Sequence, residues 1–403
     1  MREYDVLSEA FYADPYPTLA EMRRSDPCWF DPRLNAFVIT RYADIRRVLY
    51  DHDDFSSERV AQFVNGAPPH LKDKVDAYVG ELSRWLLFVD PPHHTVLRAR
   101  LLDSLGPRFL DLVSQAAEQA VTEALDALEA RPTADAVSDF AYPVPTRVLA
   151  RVLGISDADI EQFKAWTTDV FTLIGAGVAN EAAVETGYRG VMDLREYVLA
   201  LLRRKRTSPA HDVLSALANP VSAEAEAVPD DDIVGLFMAM IVAGHETTTG
   251  LIGNALHAIL GDPRVRQWIL DNPDFPETAV DELLRYDGPV LSLMRRANRE
   301  VVIAGQVVGP GAFIFSFLNA GNRDPRKFSD PDRLDLDRPQ PAHVGLGTGI
   351  HQCVGAPMTR RVVRAAVPGF LRRFPDAALA DGRAWQQNIS IRGLATLPVT
   401  LHA

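Results

Sequence analysis

The 403-residue sequence predicts a single, mainly α-helical domain over residues 1–403 with several small β-sheets. Short β-like runs occur in stretches rich in proline and glycine: AFVIT at 36–40, EVVIAG at 300–305 and AFIFSF at 312–317. Apolar residues recur at the three- and four-residue spacing of helices in three segments, 110–128, 191–202 and 233–260. Because no repeat, low-complexity tract or long linker interrupts the chain, we expect one continuous domain.

The composition is that of a folded protein. Hydrophobic residues make up 47% and charged residues 24% of the chain, unlike the charge-rich composition of disordered segments. The formal net charge of -12 disfavours nucleic-acid binding, because phosphate backbones are bound by concentrated basic surfaces. We therefore expect a soluble protein that does not bind nucleic acids.

Cysteine content and hydropathy predict a cytoplasmic location. Cys28 and Cys353 are too few to form a disulfide framework, which favours a reducing compartment. The N-terminal residues contain no apolar segment typical of a signal peptide. The longest apolar stretch, 233–244, is about half of the roughly 20 residues that cross a bilayer. We therefore expect no membrane association.

The helix expected at 233–260 carries polar residues at its centre. Asp230, Asp231 and Asp232 follow Pro229 and suit the positive N-terminal end of a helix. At 1.5 Å per residue, this helix would be roughly 40 Å long. Its middle, residues 243–249, reads AGHETTT. Polar residues in so apolar a helix either bond to the preceding turn, as Thr hydroxyls do, or have a function.

A glycine-rich loop surrounds the second cysteine. Residues 343–360 read HVGLGTGIHQCVGAPMTR, and an apolar helical pattern follows. Glycine permits backbone conformations that other residues avoid, and Gly355 would let the helix start lie against a flat partner. A thiolate near a helix N-terminus is stabilised by the helix dipole and free N–H groups. Cys353 is therefore either a structural cysteine or a ligand.

The loop segment LGTGIHQCVG resembles the haem-binding loop of the cytochrome P450 family, Phe-Gly-x-Gly-x-x-x-Cys-x-Gly. Three more segments are similar to that family in the same order: AGHETT at 243–248, the Glu-x-x-Arg pair of Glu282 and Arg285 on one helix face, and 322–338. The resemblance runs from about Pro15 to the C-terminus. It implies a triangular, mainly α-helical fold with small β-sheets that encloses a b-type haem.

The resemblance implies which residues bind this haem b. Cys353 is the implied iron ligand, because a thiolate favours cleavage of the O–O bond. Anionic propionates need cationic or donor partners when buried. The implied partners are His94, Arg98, Arg295 and His351, with Arg296 in place of Arg295 if the alignment shifts by one, while His93 is expected at the surface.

Other implied haem contacts come from small or apolar residues. Ala243 and Gly244 would let the long helix pass close to the porphyrin, and Leu346, Gly347 and Gly355 belong to the ligand loop. Leu346 stands where most members of the family have an aromatic residue. We therefore expect an altered reduction potential or haem affinity.

The resemblance also implies a catalytic pair, Glu246 and Thr247. Reduced dioxygen must receive two protons before its bond breaks, so a carboxylate that delivers protons and a hydroxyl that donates a hydrogen bond are needed. The predicted activity is that of a haem monooxygenase that hydroxylates a small, largely hydrophobic molecule in secondary or catabolic metabolism. Sequence leaves open ring coupling, desaturation or nitration with the same haem.

The implied substrate pocket is mostly apolar, which suggests a medium-sized hydrophobic or aromatic substrate. An inward-pointing Arg84 or Arg392 would instead admit a carboxylate. The region around Phe171 and Ile174 is also implied. The remaining implied lining residues are Trp85, Leu86, Phe88, Met238, Val242, Val290, Leu291, Leu293, Ile391 and Leu394.

The chain contains no flavin or iron–sulfur segment, so electrons from reduced nicotinamide are expected to arrive indirectly. The expected partner is a ferredoxin or flavodoxin with its reductase. Arg360, Arg361 and Arg364 follow the haem loop on one helix and would form either a basic docking patch or an ordinary solvated face. Glu282, Arg285 and Arg338 are expected to serve folding and haem retention instead of catalysis.

The sequence also has features of two other classes of protein, a zinc hydrolase and a non-enzymatic haem protein. The sequence HETTT at 245–249 begins like the zinc motif His-Glu-x-x-His, but Thr249 replaces the second histidine. A non-enzymatic haem protein that binds a ligand would also need Cys353, yet it would not need Glu246 and Thr247. The acid and alcohol pair therefore favours dioxygen activation.

Overall fold

The computed structural model describes residues 3–60, 68–106, 108–176, 180–219, 228–339 and 342–402. Most of these residues lie in helices, which range from one turn to the 31 residues of the longest. The helices are α1 (Glu9–Ala13), α2 (Tyr16–Ser25), α3 (Tyr42–Tyr50), α4 (Lys72–Leu82), α5 (His93–Ser104), α6 (Phe109–Asp126), α7 (Pro143–Leu153), α8 (Ile160–Ala176), α9 (Glu181–Thr207), α10 (Val213–Ala218), α11 (Asp230–Leu260), α12 (Pro263–Asp271), α13 (Glu277–Asp287), α14 (Leu318–Asn322) and α15 (Ala356–Arg373).

The strands are short, between two and six residues. They are β1 (Cys28–Asp31), β2 (Ala36–Ile39), β3 (Phe55–Ser56), β4 (Thr133–Asp135), β5 (Ser292–Ala297), β6 (Val301–Ile303), β7 (Gln306–Val308), β8 (Phe313–Phe317), β9 (Ala378–Leu379), β10 (Ala384–Trp385), β11 (Leu394–Thr396) and β12 (Pro398–Thr400). The three helical segments and three β-like runs predicted from the sequence are all present. The mainly α-helical architecture with small sheets is therefore confirmed.

The chain divides into two compact units. The first comprises Met1–Ser56, Val113–Pro145 and Glu246–Ala403, and the second comprises Ser57–Leu112 and Thr146–His245. The predicted single domain stays a prediction. None of the helices in the described ranges is long and apolar enough to cross a membrane.

The first unit contains all of the named sheets. The largest has the strand order β1-β2-β8-β5-β3, in which β2 and β8 are parallel and the other pairs are antiparallel. The smaller sheets have the orders β4-β12-β9, β10-β11 and β6-β7. An apolar cluster that includes Cys28, Ile39, Ile45 and Leu49 packs α3 against the largest sheet. Side chains of a strand alternate between the two faces of the sheet, and those on the face toward α3 form this core.

The second unit is helical. Gly187 and Gly190 of α9 allow close packing on α8, because a Cβ at Gly187 would lie 2.5 Å from Cβ of Leu173 and one at Gly190 would lie 2.6 Å from Cβ of Asp169. The Asn180 side chain accepts a hydrogen bond from the amide of Ala183 and so caps the N-terminus of α9. The α8–α9 pair is thus specified by small residues and a capping side chain.

Helix α11 begins as the sequence predicts. Its first turn contains three aspartates, which favour the positive end of the helix dipole. All three also form ion pairs in the second unit: Asp230 with Arg206, Asp231 with Arg195 at 2.6 Å, and Asp232 with Arg84 at 3.4 Å. Residues 230–245 of α11 belong to the second unit and residues 246–260 to the first.

Candidate active site

The loop that carries Cys353 is shaped by its glycines. Gly347 has a φ of +70° and Gly349 a φ of +73°, a left-handed conformation that favours glycine. The amide of Cys353 donates a hydrogen bond to the carbonyl of Leu346 at 2.9 Å, which closes the loop. Cys353 itself is exposed, two residues before Gly355, which caps α15. The loop thus presents the thiol near a helix N-terminus, where a thiolate is stabilised.

Helix α3 fixes the other side of this loop. A Cβ at Gly349 would lie 3.0 Å from Cα of Tyr50 and 3.1 Å from the carbonyl oxygen of Leu49. Such distances to backbone atoms leave no space for a side chain. Glycine is therefore required at 349 both by its φ and by the close approach of the end of α3.

Polar contacts hold the beginning of the loop. The side-chain oxygen of Asn322 accepts a hydrogen bond from the amide of Val344 at 2.8 Å. Asp281 on α13 contacts Nε2 of His343 at 3.4 Å and Nε of Arg360 at 2.8 Å. Burial alone would raise the pKa of Asp281, but its hydrogen bonds to His343 and Arg360 lower that pKa below its usual value. The loop and α15 are thus connected through one carboxylate.

The predicted ion-pair network is present and buried. Nε of Arg285 lies 2.6 Å from Glu282, and Nε of Arg338 lies 3.0 Å from the same carboxylate. Arg285 also donates to the carbonyl oxygens of Asn322 and Pro331, at 3.0 Å and 2.7 Å. Because Glu282 and Arg285 have fully buried side chains, this network joins α13 to the chain that precedes the cysteine loop.

Two predicted propionate partners lie in the first unit. Arg295 is buried on β5 and donates a hydrogen bond to the carbonyl oxygen of Met294 at 3.0 Å. Arg296, the alternative, is only half-buried, and so is His351 of the cysteine loop. The role of these residues toward haem propionates stays a prediction.

The two predicted catalytic residues are less buried than their neighbours. Glu246 and Thr247 are half-buried on α11, whereas Thr248 and Thr249 are buried. Among the described residues, the hydroxyl of Thr249 has no hydrogen-bond partner, so the run of threonines is not explained by bonding to the preceding turn at that position. Of the three threonines, Thr247 is the least buried.

Within the second unit, Ala243 is exposed on α11, and Gly244 packs closely against α7. A Cβ at Gly244 would lie 3.1 Å from Cδ1 of Leu149 on α7. His245, the start of the zinc-like motif, is buried, with Nδ1 3.1 Å from the carbonyl oxygen of Ile241 and Nε2 3.5 Å from Oγ1 of Thr167. These contacts indicate that His245 stabilises the packing of α11 against α8.

The other predicted propionate partners lie on α5. His94 is buried and Arg98 is half-buried one turn later. His93, predicted at the surface, is exposed and contacts Asp232 through Nε2 at 3.1 Å. The N-termini of α5 and α11 are therefore tied together by a His–Asp contact within the second unit.

The predicted pocket residues of the second unit are apolar and buried. Trp85 and Phe88 stack with ring centroids 6.4 Å apart, and the guanidinium of Arg59 lies 4.5 Å from the centroid of Phe88. The other three, Leu86, Met238 and Val242, are also buried. The side chains of Phe171 and Ile174 lie outside the described residues.

The predicted pocket residues of the first unit lie on two adjoining segments. Val290 and Ile391 face each other in an isolated β-bridge, and both are half-buried. Leu291 and Leu394 are buried, and Leu293 is half-buried and packs on the cluster that contains Cys28. The family resemblance therefore implied two segments about 100 positions apart along the chain that are neighbours in the fold.

The two arginines that would admit a carboxylate are already paired. Arg392 is buried with Nε 2.6 Å from Asp287, and its guanidinium lies 3.8 Å from the centroid of Trp385. In the second unit, Arg84 lies 3.4 Å from Asp232. Asp287 was not predicted as the partner of Arg392, because the two residues lie 105 positions apart along the chain.

The three arginines of α15 are also engaged. Arg360 pairs with Asp281, Arg364 lies 3.7 Å from Glu277 and donates to the carbonyl oxygen of Phe275, and Arg361 contacts Ser114 at 3.3 Å. Two of the three charges therefore face carboxylates, which weakens the predicted basic patch. Arg361 is the one with no carboxylate within 4.0 Å in the described residues.

The residues of the first unit fit a haem. The donor set contains an exposed thiol in a glycine loop at a helix start, and the nearby chain supplies a buried guanidinium, Arg295, and an imidazole, His351. A thiolate is a strong anionic iron ligand, and cations suit propionates. The other cysteine, Cys28, is buried in the core, where burial raises the pKa of its thiol to about 12.

Known proteins are similar to this chain over nearly its whole length. A sequence model of the family described as Cytochrome P450 matches residues 274–398. Cytochrome P450 107B1 of Saccharopolyspora erythraea is 34% identical over 98% of this chain and 96% of that protein. The vitamin D(3) 25-hydroxylase of Pseudonocardia autotrophica is 30% identical over 99% of this chain and 96% of that protein.

The structural likeness is equally extensive. The solved structure of cytochrome P450 PksS, from the bacillaene polyketide synthase of Bacillus subtilis 168, matches with a TM-score of 0.89 and 29% identity, covering 100% of both chains. This likeness confirms the fold class that the sequence motifs implied.

Proposed function

Given that the chain belongs to the cytochrome P450 family of haem monooxygenases, we propose that it hydroxylates a small, largely hydrophobic organic molecule with a haem b held by the thiolate of Cys353. The observation that carries this proposal is the exposed thiol of Cys353 on a glycine loop at the start of α15. When bound, the haem supplies the oxidising chemistry, since thiolate ligation favours cleavage of the O–O bond.

The proton supply is proposed to come from Glu246 and Thr247. Both side chains are half-buried in a helix whose neighbouring residues are buried, so they can reach a reactant while bulk water is limited. A carboxylate can take up and deliver protons, and a hydroxyl can hold a hydrogen bond to reduced dioxygen while the proton arrives. Glu246 thus relays protons and Thr247 directs them.

The haem propionates are proposed to bind cationic or donor side chains. The candidates are the four residues that the family resemblance implies, Arg295, His351, His94 and Arg98. The chemistry of Arg295 and His94 supports the assignment, because anionic propionates are bound by cationic or donor side chains.

The proposed substrate is apolar and lacks a carboxylate. The predicted pocket residues are apolar, and the two arginines that could bind a carboxylate are paired with Asp287 and Asp232. A relative is named a vitamin D(3) hydroxylase, which is consistent with a substrate of this polarity. Desaturation, ring coupling and nitration would leave the same residues in place and are separated by product analysis.

Electrons are proposed to come from a ferredoxin or flavodoxin that is reduced by nicotinamide through a reductase. Of Arg360, Arg361 and Arg364, Arg361 is the one that does not face a carboxylate within the described residues, so it is the group most able to contact an acidic carrier.

The haem assignment is tested by comparing the two cysteines. Cys353→Ala should abolish the red-shifted Soret band of the reduced, carbon monoxide-bound protein, because the thiolate ligand is removed. Cys28→Ala is the matched control and should retain that band with at most a modest loss of stability, on the order of 1 kcal/mol. An unchanged band in Cys353→Ala would refute the proposal.

The role of Thr247 is tested by comparing two threonines of one helix. Thr247→Val keeps the volume and removes the hydroxyl, so the variant should consume reduced nicotinamide but release more hydrogen peroxide and form several-fold less product, within the ~10²–10⁴ range of general acid–base effects. Thr249→Val removes a buried hydroxyl that has no partner among the described residues and should behave as wild type. Equal coupling of product to nicotinamide consumption in the two variants would exclude a proton-directing role for Thr247.

A further inference from the structure

Two apolar segments of the first unit, 287–293 and 389–394, are joined by hydrogen bonds. The amide of Leu291 donates to the carbonyl oxygen of Ser390 at 2.9 Å, and the amide of Arg392 donates to that of Pro289 at 2.8 Å. The hydroxyl of Ser292 adds a bond of 2.8 Å to the carbonyl oxygen of Ile389. The two segments, which carry five of the predicted pocket residues, therefore form one connected surface.

Helix α11 holds both segments through one side chain, that of Asn254. Its side-chain amide donates to the carbonyl oxygen of Asp287 at 3.1 Å and to that of Arg392 at 3.0 Å. Asn254 is 1% exposed, so both bonds form without competition from water. One amide group thus sets the distance of each segment from the helix.

Gly250 lies one turn before Asn254 and brings the same segments into contact with the helix backbone. A Cβ at Gly250 would lie 3.1 Å from Cβ of Pro289 and 3.4 Å from the carbonyl oxygen of Arg392. A Cβ there would press on Pro289 and touch the carbonyl of Arg392 at van der Waals distance. The contact is therefore tight as well as hydrogen-bonded.

The same face of α11 carries the proposed proton-directing hydroxyl. Thr247, Gly250 and Asn254 are spaced by three and four residues, which places them on one side of an α-helix. The two apolar segments are thus positioned on the helix face from which Thr247 projects. A change at Asn254 would alter their placement relative to Thr247 without touching that residue.

A buried ion pair strengthens the attachment. Asp287 and Arg392, whose carbonyls accept from Asn254, also pair through their side chains at 2.6 Å. The hydroxyl of Tyr16 donates to the carboxylate of Asp287, and the guanidinium of Arg323 lies 3.4 Å from the centroid of the Tyr16 ring. Both residues that Asn254 contacts are therefore held rigidly.

We infer that Asn254 is a positioning residue that determines which carbon of the substrate is oxidised, because it fixes two apolar segments on the helix face that carries Thr247. This inference rests on the proposed hydroxylase function. Asn254 itself need not touch the substrate, and its effect is transmitted through the backbones of residues 287–293 and 389–394.

The test compares Asn254→Leu with Asn319→Leu in the haem-loaded protein, with vitamin D3 as the probe. Asn319 is a close match: it is fully buried, its amide donates to the carbonyl oxygen of Gly288 at 3.0 Å, and in the described part of the chain its Oδ1 and that of Asn254 accept no hydrogen bond. Asn319 contacts neither Arg392 nor α11 by hydrogen bonds. Loss of stability should therefore be similar in the two variants.

The expected result is a change in product ratio that is larger in Asn254→Leu than in Asn319→Leu, because Asn319 holds only the first of the two segments, through Gly288, and does not join it to α11. The ratio of the major to the second hydroxylated product should fall several-fold, because the two segments are no longer held at a fixed distance from α11. Gly250→Ala, which keeps both bonds but displaces Pro289, should also change the ratio, and it supplies the test if Asn254→Leu does not fold. An equal change in Asn319→Leu, or no change in either α11 variant, would overturn the inference.

Amide hydrogen exchange gives a second readout that does not depend on turnover. Exchange at Leu291 and Arg392 should become faster in Asn254→Leu than in Asn319→Leu. If the wild-type protein shows the carbon monoxide band but forms no product from vitamin D3, the claim about product selection is lost, and exchange still decides the positioning role. Absence of the carbon monoxide band in the wild type would instead refute the proposed function.

Discussion

The two cysteines of the chain lie in regions that are stabilised by different interactions, apolar packing around Cys28 and polar contacts around Cys353. Cys28 belongs to β1, is 5% exposed and packs in an apolar cluster with Ile39 and Leu49. Cys353 is exposed on a loop that is held by backbone hydrogen bonds, by two glycines with positive φ and by polar side chains. The same side chain is thus a core residue in one place and an exposed loop residue in the other.

This difference shows that the surroundings of a thiol determine its chemistry. Burial raises the pKa of Cys28 to about 12, so that it stays protonated and acts as a small apolar group. Cys353 stands before a helix N-terminus, where the dipole favours the thiolate. Helix α3 serves both regions, because Leu49 packs in the core around Cys28 while its carbonyl oxygen lies against Gly349 of the loop.

The largest expected effect is on thiol reactivity. In the haem-free protein at pH 8, iodoacetamide should alkylate Cys353 and leave Cys28 unmodified, because only about one in ten thousand Cys28 thiols is ionised at that pH. Mass spectrometry of the labelled peptides measures both sites. Addition of haem should protect Cys353, and comparable labelling of the two cysteines in the folded protein would contradict the comparison.

The second largest expected effect is on the stability that the buried ion-pair network next to the cysteine loop provides. Glu282→Gln removes the charge that neutralises Arg285 and Arg338, and should lower the free energy of unfolding by about 3–5 kcal/mol. Glu277→Gln is a control on the same helix, because Glu277 is half-exposed and lies 3.7 Å from Arg364. It should cost at most about 1 kcal/mol. Denaturant unfolding decides between them, and equal losses would show that the buried network has no special role.

The smallest effect is a dependence of stability on pH near the loop. The pKa of Asp281 is lowered in the folded protein, so its contribution to stability is fully present above its unfolded pKa, about 3.9, and is lost as the pH falls through the folded pKa. Asp281→Asn should therefore be less stable than wild type at pH 6, and the difference should shrink below about pH 4. Unfolding measured across this range tests the prediction, which a constant difference would contradict.

Local patterns predicted much of this molecule. The three- and four-residue spacing placed α6, α9 and α11, and the acidic turn after Pro229 placed the start of α11, because such signals involve residues within a few positions of each other. The glycines around Cys353 indicated an unusual loop for the same reason, and two of them adopt positive φ. The family resemblance implied the pairing of Glu282 with Arg285, and their three-residue spacing places both on one helix face.

Contacts between distant residues had to come from the tertiary structure. Gly244 is expected from the resemblance to lie close to the porphyrin, which stays a prediction, and the structure adds a close approach to Leu149 on another helix. Arg392 was considered as a group that could bind a substrate carboxylate, and it is paired with Asp287. The role of Asn254 was not predicted from the sequence, because the two carbonyl groups that accept its hydrogen bonds lie 33 and 138 residues away along the chain. Short-range periodicity carries no information on such pairs, since their geometry depends on how all intervening elements pack.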